Sequence, residues 1–148
     1  MMLKRLHPIA GIIATMMILS FWVSTVVVEL SGSLAAITAV KQAIPWGFFI
    51  LIPALAFTGV SGFQLAGPSS GPEIARKKRR MPFIAANGLF ILVPSALYLS
   101  TCAAHGTFGR AFYGVQTVEL IAGATNLILM SLNIRDGLRF ARRTAQAS

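Results

Sequence analysis

Glu119 stands in an otherwise uncharged apolar run, Ala111 to Ile134. An ionisable side chain at membrane depth needs a partner, a water-filled cavity or a proton of its own. It belongs to a seam, Gln116, Glu119, Gly123, Asn126, Met130, Asn133 and Gly137, whose steps alternate between three and four residues. That spacing keeps residues on one helix face, turned to a neighbouring helix. A carboxyl followed by side-chain amides on one face could relay protons or cations. It could equally lock helices together, with Glu119 bonded to a freed backbone carbonyl or to a hydroxyl such as that of Thr25. Asn126, Asn133 and Asn87 can act the same way, since an amide between membrane helices contributes about 0.6–2 kcal/mol. Gln116 and Glu29 fall near helix ends, where water is the cheaper partner.

The two histidines suggest different chemistry. His7-Pro8, opening an apolar helix, resembles the start of a haem-bearing helix in b-type membrane cytochromes. That resemblance implies haem b held by two axial ligands at one depth. In the topology derived below, His7 and His105 lie a membrane thickness apart, so one chain cannot offer both to one haem. A symmetric pair of His7 or of His105 in a dimer, Met81, or a partner subunit would have to complete the site. A lone interfacial histidine is otherwise a polar helix end.

Cys102 is the only cysteine, which excludes an internal disulfide and a cysteine-based metal cluster. No metal site is expected. The chain has no Ser-His-Asp set, phosphate loop, His-Glu-x-x-His pair or carboxylate dyad, and the expectation is a protein that is not an enzyme.

The elements that position these residues follow from composition. Of 148 residues 55% are hydrophobic and 11% charged, with a mean hydropathy of +0.73, against about 25% charged in a soluble domain. Pro8–Val28, Gln42–Pro72 and Met81–Gly109 are uncharged and long enough to cross about 30 Å of hydrocarbon. These stretches and the Glu119 run predict an all-α, antiparallel four-helix transmembrane bundle in one domain. Its helices fall near 8–30, 44–66, 82–104 and 110–134, with a basic loop at 67–81 and a basic tail at 135–148. Leu34–Val40 is too short to span and is expected at the outer surface. The apolar run after Lys4-Arg5 is too long for a signal peptide and lacks a clear cleavage site, so it reads as helix one.

The net charge of +9 is strongly placed. Lys4, Arg5, Arg76, Lys77, Lys78, Arg79, Arg80, Arg135, Arg139, Arg142 and Arg143 fall on one side, and only Lys41 and Arg110 on the other. The positive-inside rule then puts both termini in the cytoplasm of a bacterial inner membrane. Residues 76–80 read as a topology signal with some attraction to anionic headgroups. Nucleic acid is not expected, for want of a soluble module or a stacking platform. Arg135-Asp136 reads as a solvated turn with Gly137 as helix stop.

Further features concern packing. Gly47–Phe57 (GFFILIPALAF) and Gly88–Tyr98 (GLFILVPSALY) echo each other, and Pro53 and Pro94 should each kink a helix and free a carbonyl. Ala54, Thr58 and Gly62 mark a close helix contact. His7, Gly11, Ile18, Thr25 and Glu29 share one face of helix one, suited to the helix-four seam. Trp46, Tyr98 and Tyr113 suit an outer aromatic belt. The Leu6-His7-Pro8 start and Asn133-Ile134-Arg135-Asp136-Gly137-Leu138-Arg139 look like those of small uncharacterised four-helix inner-membrane proteins of proteobacteria, a resemblance that implies no activity.

The expected function is a small non-catalytic membrane protein, either an accessory subunit or a proton- or solute-linked carrier, with its polar site centred on Glu119. It would act in the lipid bilayer as a homo-oligomer or with a partner membrane protein. The rivals are a b-haem electron-transfer subunit and a purely structural stabiliser of a larger complex. Phosphatase fusions, active only outside the cytoplasm, test the orientation: a fusion at Gly106 should be active and one at Ser69 inactive.

Overall fold

A computed structural model describes residues 2–66 and 72–146. The described residues are helical, with no strand, and comprise α1 (Met2–Ser31), α2 (Leu34–Ala66), α3 (Pro72–Asn87), a π-helical turn (Gly88–Leu92), α4 (Val93–Ala104) and α5 (Arg110–Gln146). The segment α3, π turn and α4 forms one rod. Four helices, Arg5–Ser31, Leu34–Leu65, Lys78–Ala104 and Arg110–Arg139, are long and apolar enough to cross a membrane.

Two tight turns close one end of the bundle. Gly32 adopts φ +67° and its N–H returns to Glu29 O at 3.2 Å, which ends α1. Ser33 then starts α2 by accepting the Ala36 N–H on its hydroxyl at 3.3 Å. Gly106, also at φ +67°, ends α4: its N–H meets Ala103 O and the Thr107 N–H meets Cys102 O, the paired bonds of a Schellman cap. Each turn reverses the chain, so neighbouring helices run antiparallel. In cross-section α1 lies beside α2, α2 beside the α3–α4 rod, the rod beside α5, and α5 beside α1. The helices on the two diagonals do not approach each other closely.

The helices are longer than the hydropathy pattern alone suggests. Leu34–Val40 is the opening of α2, because the Ser33 cap starts the helix there. Of the expected loop at 67–81, residues 67–71 lie outside the described residues, while Pro72 onward is helical. Pro72 suits a first helical position, and Ala75 to Arg80 are all good helix formers with no breaker among them. Gly137 does not stop α5. Its φ is not positive, and good helix formers follow it. A glycine inside a helix costs about 1 kcal/mol relative to alanine, too little to end this one.

Proline is accommodated in two ways. α2 continues through Pro45 and Pro53. Before Pro94 the rod widens into the π turn, with the Val93 N–H reaching back to Gly88 O. This register absorbs the N–H that Pro94 lacks. The echo of GFFIL and GLFIL is therefore not repeated in the backbone, one copy being α and the other π. Large apolar side chains, Phe49 and Phe90 among them, face outward. Trp46, Tyr98 and Tyr113 are also exposed, but Trp46 sits well inside α2 rather than at its start.

The expected face of helix one packs mainly on α2, not on the α5 seam. Gly11 lies against Thr58, His7 bonds to Ser61, and Thr25 meets Lys41. The small-residue stripe of α2 receives it: a methyl added at Gly62 would come within 3.1 Å of His7 Cε1 and 3.0 Å of Met81 Cε. Two apolar clusters fill the interior. One contains Ile18, Leu51, Ile84 and Met130; the other, towards the turns, contains Ile37, Leu99, Ala103 and Phe112.

Gly47 of α2 lies close against α1, since a Cβ there would overlap the Phe21 ring. Gly47→Leu should therefore cost about 1–3 kcal/mol through overpacking. Adding Phe21→Ala should recover part of that loss, as read by thermal unfolding in detergent.

Candidate functional site

The seam forms the buried face of α5. Gln116, Gly123, Asn126, Met130 and Asn133 are all buried, and the pattern closes on Asp136 rather than on Gly137. Its polar members separate into three layers.

The first layer, nearest the turns, is charged. Lys41 is fully buried and its Nζ lies 2.5 Å from Glu119 Oε2. The same ammonium donates to Thr25 Oγ1 at 3.3 Å. Gln116 Nε2, one turn back on α5, donates to Glu119 Oε2 at 3.3 Å. α2 and α5 lie on a diagonal, so only a side chain of lysine's length can join them across the centre. Glu29 stands beside this pair and acts electrostatically on both partners. Its Oε1 is buried and, among the described residues, has no hydrogen-bond partner; Gln116 Oε1 is in the same position. Glu29 lies two residues from the end of α1 and is half-buried.

Sequence reasoning placed Thr25 near Glu119 but missed Lys41. The reason is the start of helix two: with Leu34–Val40 set outside the membrane, Lys41 becomes a loop charge. The available signal was that Leu34–Leu65 is one long apolar segment holding a single charge, as the α5 run holds a single charge of opposite sign. On insertion scales an isolated lysine at helix centre costs about 2.5–3.5 kcal/mol, so two such charges are each other's obvious partners.

The second layer is made of amides. Asn87 Nδ2 donates to Asn126 Oδ1 at 2.8 Å and to Ala122 O at 2.9 Å, and Asn126 Nδ2 donates to Ile84 O at 3.4 Å. The α3–α5 contact is thereby fixed in register. The carbonyls that accept bonds across helices here and at Trp22 are those of Ile84, Leu120 and Ala122, not those beside Pro53 and Pro94. Asn133, farther along, is buried with Oδ1 unpartnered among the described residues.

The third layer lies near the end that carries the termini. Asp136, 3% exposed, accepts from Arg80 at 2.8 Å and from Arg135 at 3.5 Å. The solvated turn expected at Arg135-Asp136 is instead a buried interhelical ion pair, because α5 continues and turns Asp136 onto α3.

Trp22 separates the first two layers. Its ring lies on Gly123, where a methyl would meet Cδ1 at 3.0 Å, and its Nε1 donates to Leu120 O at 2.9 Å. A cavity of about 60 Å³ beside it is lined by Thr25, Glu119, Trp22 and Leu92 with other apolar side chains. That volume has room for a few waters beside the carboxylate, within walls that are mostly apolar. His7 Nδ1 lies 2.8 Å from Ser61 Oγ, and His7 and Met81 meet over Gly62. His105 is exposed at the opposite end, with Nδ1 at 2.8 Å from Thr101 O. Among the described residues no three metal-binding side chains converge.

No protein-family model, curated protein or solved structure matches the chain.

Removing one member of a buried pair leaves an uncompensated charge and typically costs about 3–5 kcal/mol. Lys41→Met and Glu119→Leu should each destabilise on that scale. The double variant should recover most of the loss, and Glu119→Gln, which keeps an acceptor for Lys41, should fall between. A double variant destabilised by the sum of the two single losses would show that the two residues are not coupled.

Proposed function

We propose that this chain is a small non-catalytic integral protein of the bacterial inner membrane, an accessory subunit acting as an oligomer or beside a partner membrane protein. In this reading both termini face the cytoplasm. The orientation is supported by charge: with Lys41 neutralised inside the bundle, Arg110 is the one exposed lysine or arginine at the turn end among the described residues.

The observation that carries the accessory reading over a carrier is the Trp22 plug. A proton or solute pathway along the seam would run from Glu119 to Asn126, and Trp22 fills that interval, pinned by Leu120 O and seated on Gly123. The cavity beside Glu119 is walled mostly by apolar side chains, which offer a polar solute few partners. Polar groups that are bonded to each other and enclosed by packed side chains lock helices rather than conduct. The outward apolar surface of all four spans is then what the protein offers to lipid or to a partner.

Vesicles carrying the purified protein and an internal pH-sensitive dye test this. Under an imposed potential, their proton flux should match that of protein-free vesicles. Flux above that level, abolished by Glu119→Gln, would replace the accessory reading with a proton pathway.

A second reading, a b-haem electron-transfer subunit using His7 or His105, draws on one observation: His7 and Met81 converge over Gly62. The visible spectrum of protein purified from haem-replete cells separates the two. The accessory reading expects no Soret band, whereas the haem reading requires a strong one that shifts with dithionite.

A further inference from the structure

The basic run of α3 forms part of a cavity. Arg76, Arg79 and Arg80, with Phe83 one turn on, line one wall of a groove of about 440 Å³, and Thr125 and Leu129 of α5 line the other. The groove has two chemically distinct zones. At its mouth are three guanidinium groups. Arg80 is held by Asp136, while Arg76 and Arg79 are exposed and form no ion pair among the described residues. Leu129 and Thr125 lie roughly two and three turns nearer mid-bundle than Asp136. Phe83, largely exposed, faces the same space, so below the arginines the groove is apolar and opens sideways between α3 and α5.

We propose that this groove binds an anionic diacyl phospholipid, with its headgroup phosphate on Arg76 and Arg79 and an acyl chain lying over Phe83 and Leu129. Three features select this ligand. Arginine presents paired N–H donors that match phosphate oxygens, and gives stronger contacts with an anion than with a neutral dipole. Asp136 is the one carboxylate paired within this arginine cluster among the described residues, and it is bonded to Arg80 and Arg135, so the mouth keeps a net positive charge. The apolar lower zone excludes a free phosphate as the best occupant, because a soluble anion leaves Phe83 and Leu129 uncovered, whereas a lipid satisfies both zones at once. Basic pockets between membrane helices are suited to anionic headgroups for the same reason. Bound lipid would also bridge α3 and α5 beside the Arg80–Asp136 pair.

The test uses delipidated full-length protein in a non-ionic detergent, where no bilayer surface potential acts. Its thermal unfolding is titrated with phosphatidylglycerol, phosphatidylcholine, glycerol phosphate or inorganic phosphate. Phosphatidylglycerol should raise the unfolding temperature saturably, and the other three should not do so over the same concentrations. Arg76→Gln with Arg79→Gln should weaken that binding by about tenfold or more, since each substitution removes a charge-assisted contact to the phosphate. Arg5→Gln with Arg139→Gln removes the same charge from exposed positions outside the groove and should change binding by less than about twofold. Equal stabilisation by phosphatidylcholine, by inorganic phosphate or by glycerol phosphate would overturn the proposal, and so would equal weakening in the two double variants. The lipid comparison on the unaltered protein stands even if a variant fails to fold.

Discussion

The architecture depends on one requirement: the charge of Lys41 must be met inside the bundle. Lys41 projects from α2 towards the centre, and Glu119 on the diagonally opposite helix meets it. The α2–α5 pair has no close backbone contact, so this bridge ties together what apolar packing leaves apart. Thr25 accepts from the same ammonium and Gln116 donates to Glu119, while Glu29 Oε1 and Gln116 Oε1 beside them have no partner among the described residues. Half of such a pair would be costly, because the remaining charge would have no counter-charge. The tight Gly32–Ser33 turn serves the same end, since it starts α2 early enough to bring Lys41 to the depth of Thr25.

The polar layers do what apolar contact cannot. In hydrocarbon an outward leucine and an inward leucine differ little in energy, so apolar patterning alone sets neither helix rotation nor register. Directional bonds set both. The Lys41–Glu119 layer fixes α2 against α5, the Asn87–Asn126 layer fixes α3 against α5, and the Arg80–Asp136 pair repeats that contact nearer the termini. Between the layers lie packed side chains: Trp22 on Gly123, then Met130 with Ile18 and Ile84. The result is a stack of separate polar locks rather than a continuous polar line. This is why the seam, which in sequence suggests a path, supports a packing role once its neighbours are in place.

The composition and the 3.6-residue periodicity carried much of the fold. Nearly charge-free runs indicate four helices long and apolar enough to cross a membrane, and the spacing of Gln116, Glu119, Asn126 and Asn133 identifies the inward face of α5. Neither result needs tertiary information, because span length and helical phase are local properties of the chain. Helix ends were less legible. Capping by Ser33, the helix-forming run after Pro72, and a glycine at 137 that stays helical each moved a boundary, since weak local preferences compete there and packing decides between them.

Partner choice was settled only in three dimensions. The sequence shows Glu119 to be a charge in need of company and makes Thr25, the carbonyls near Pro53 and Pro94, or a proton reasonable companions. It does not show which helix stands on the diagonal. Once α2 begins at Leu34 and the ring order places it across from α5, Lys41 becomes the partner. Asp136 changes in the same way, from a solvated turn to a buried acceptor, when α5 runs past Gly137. A residue's type and helical phase are fixed by the chain itself. The atom that answers its charge depends on which surfaces the fold brings together, and that is a property of the whole bundle.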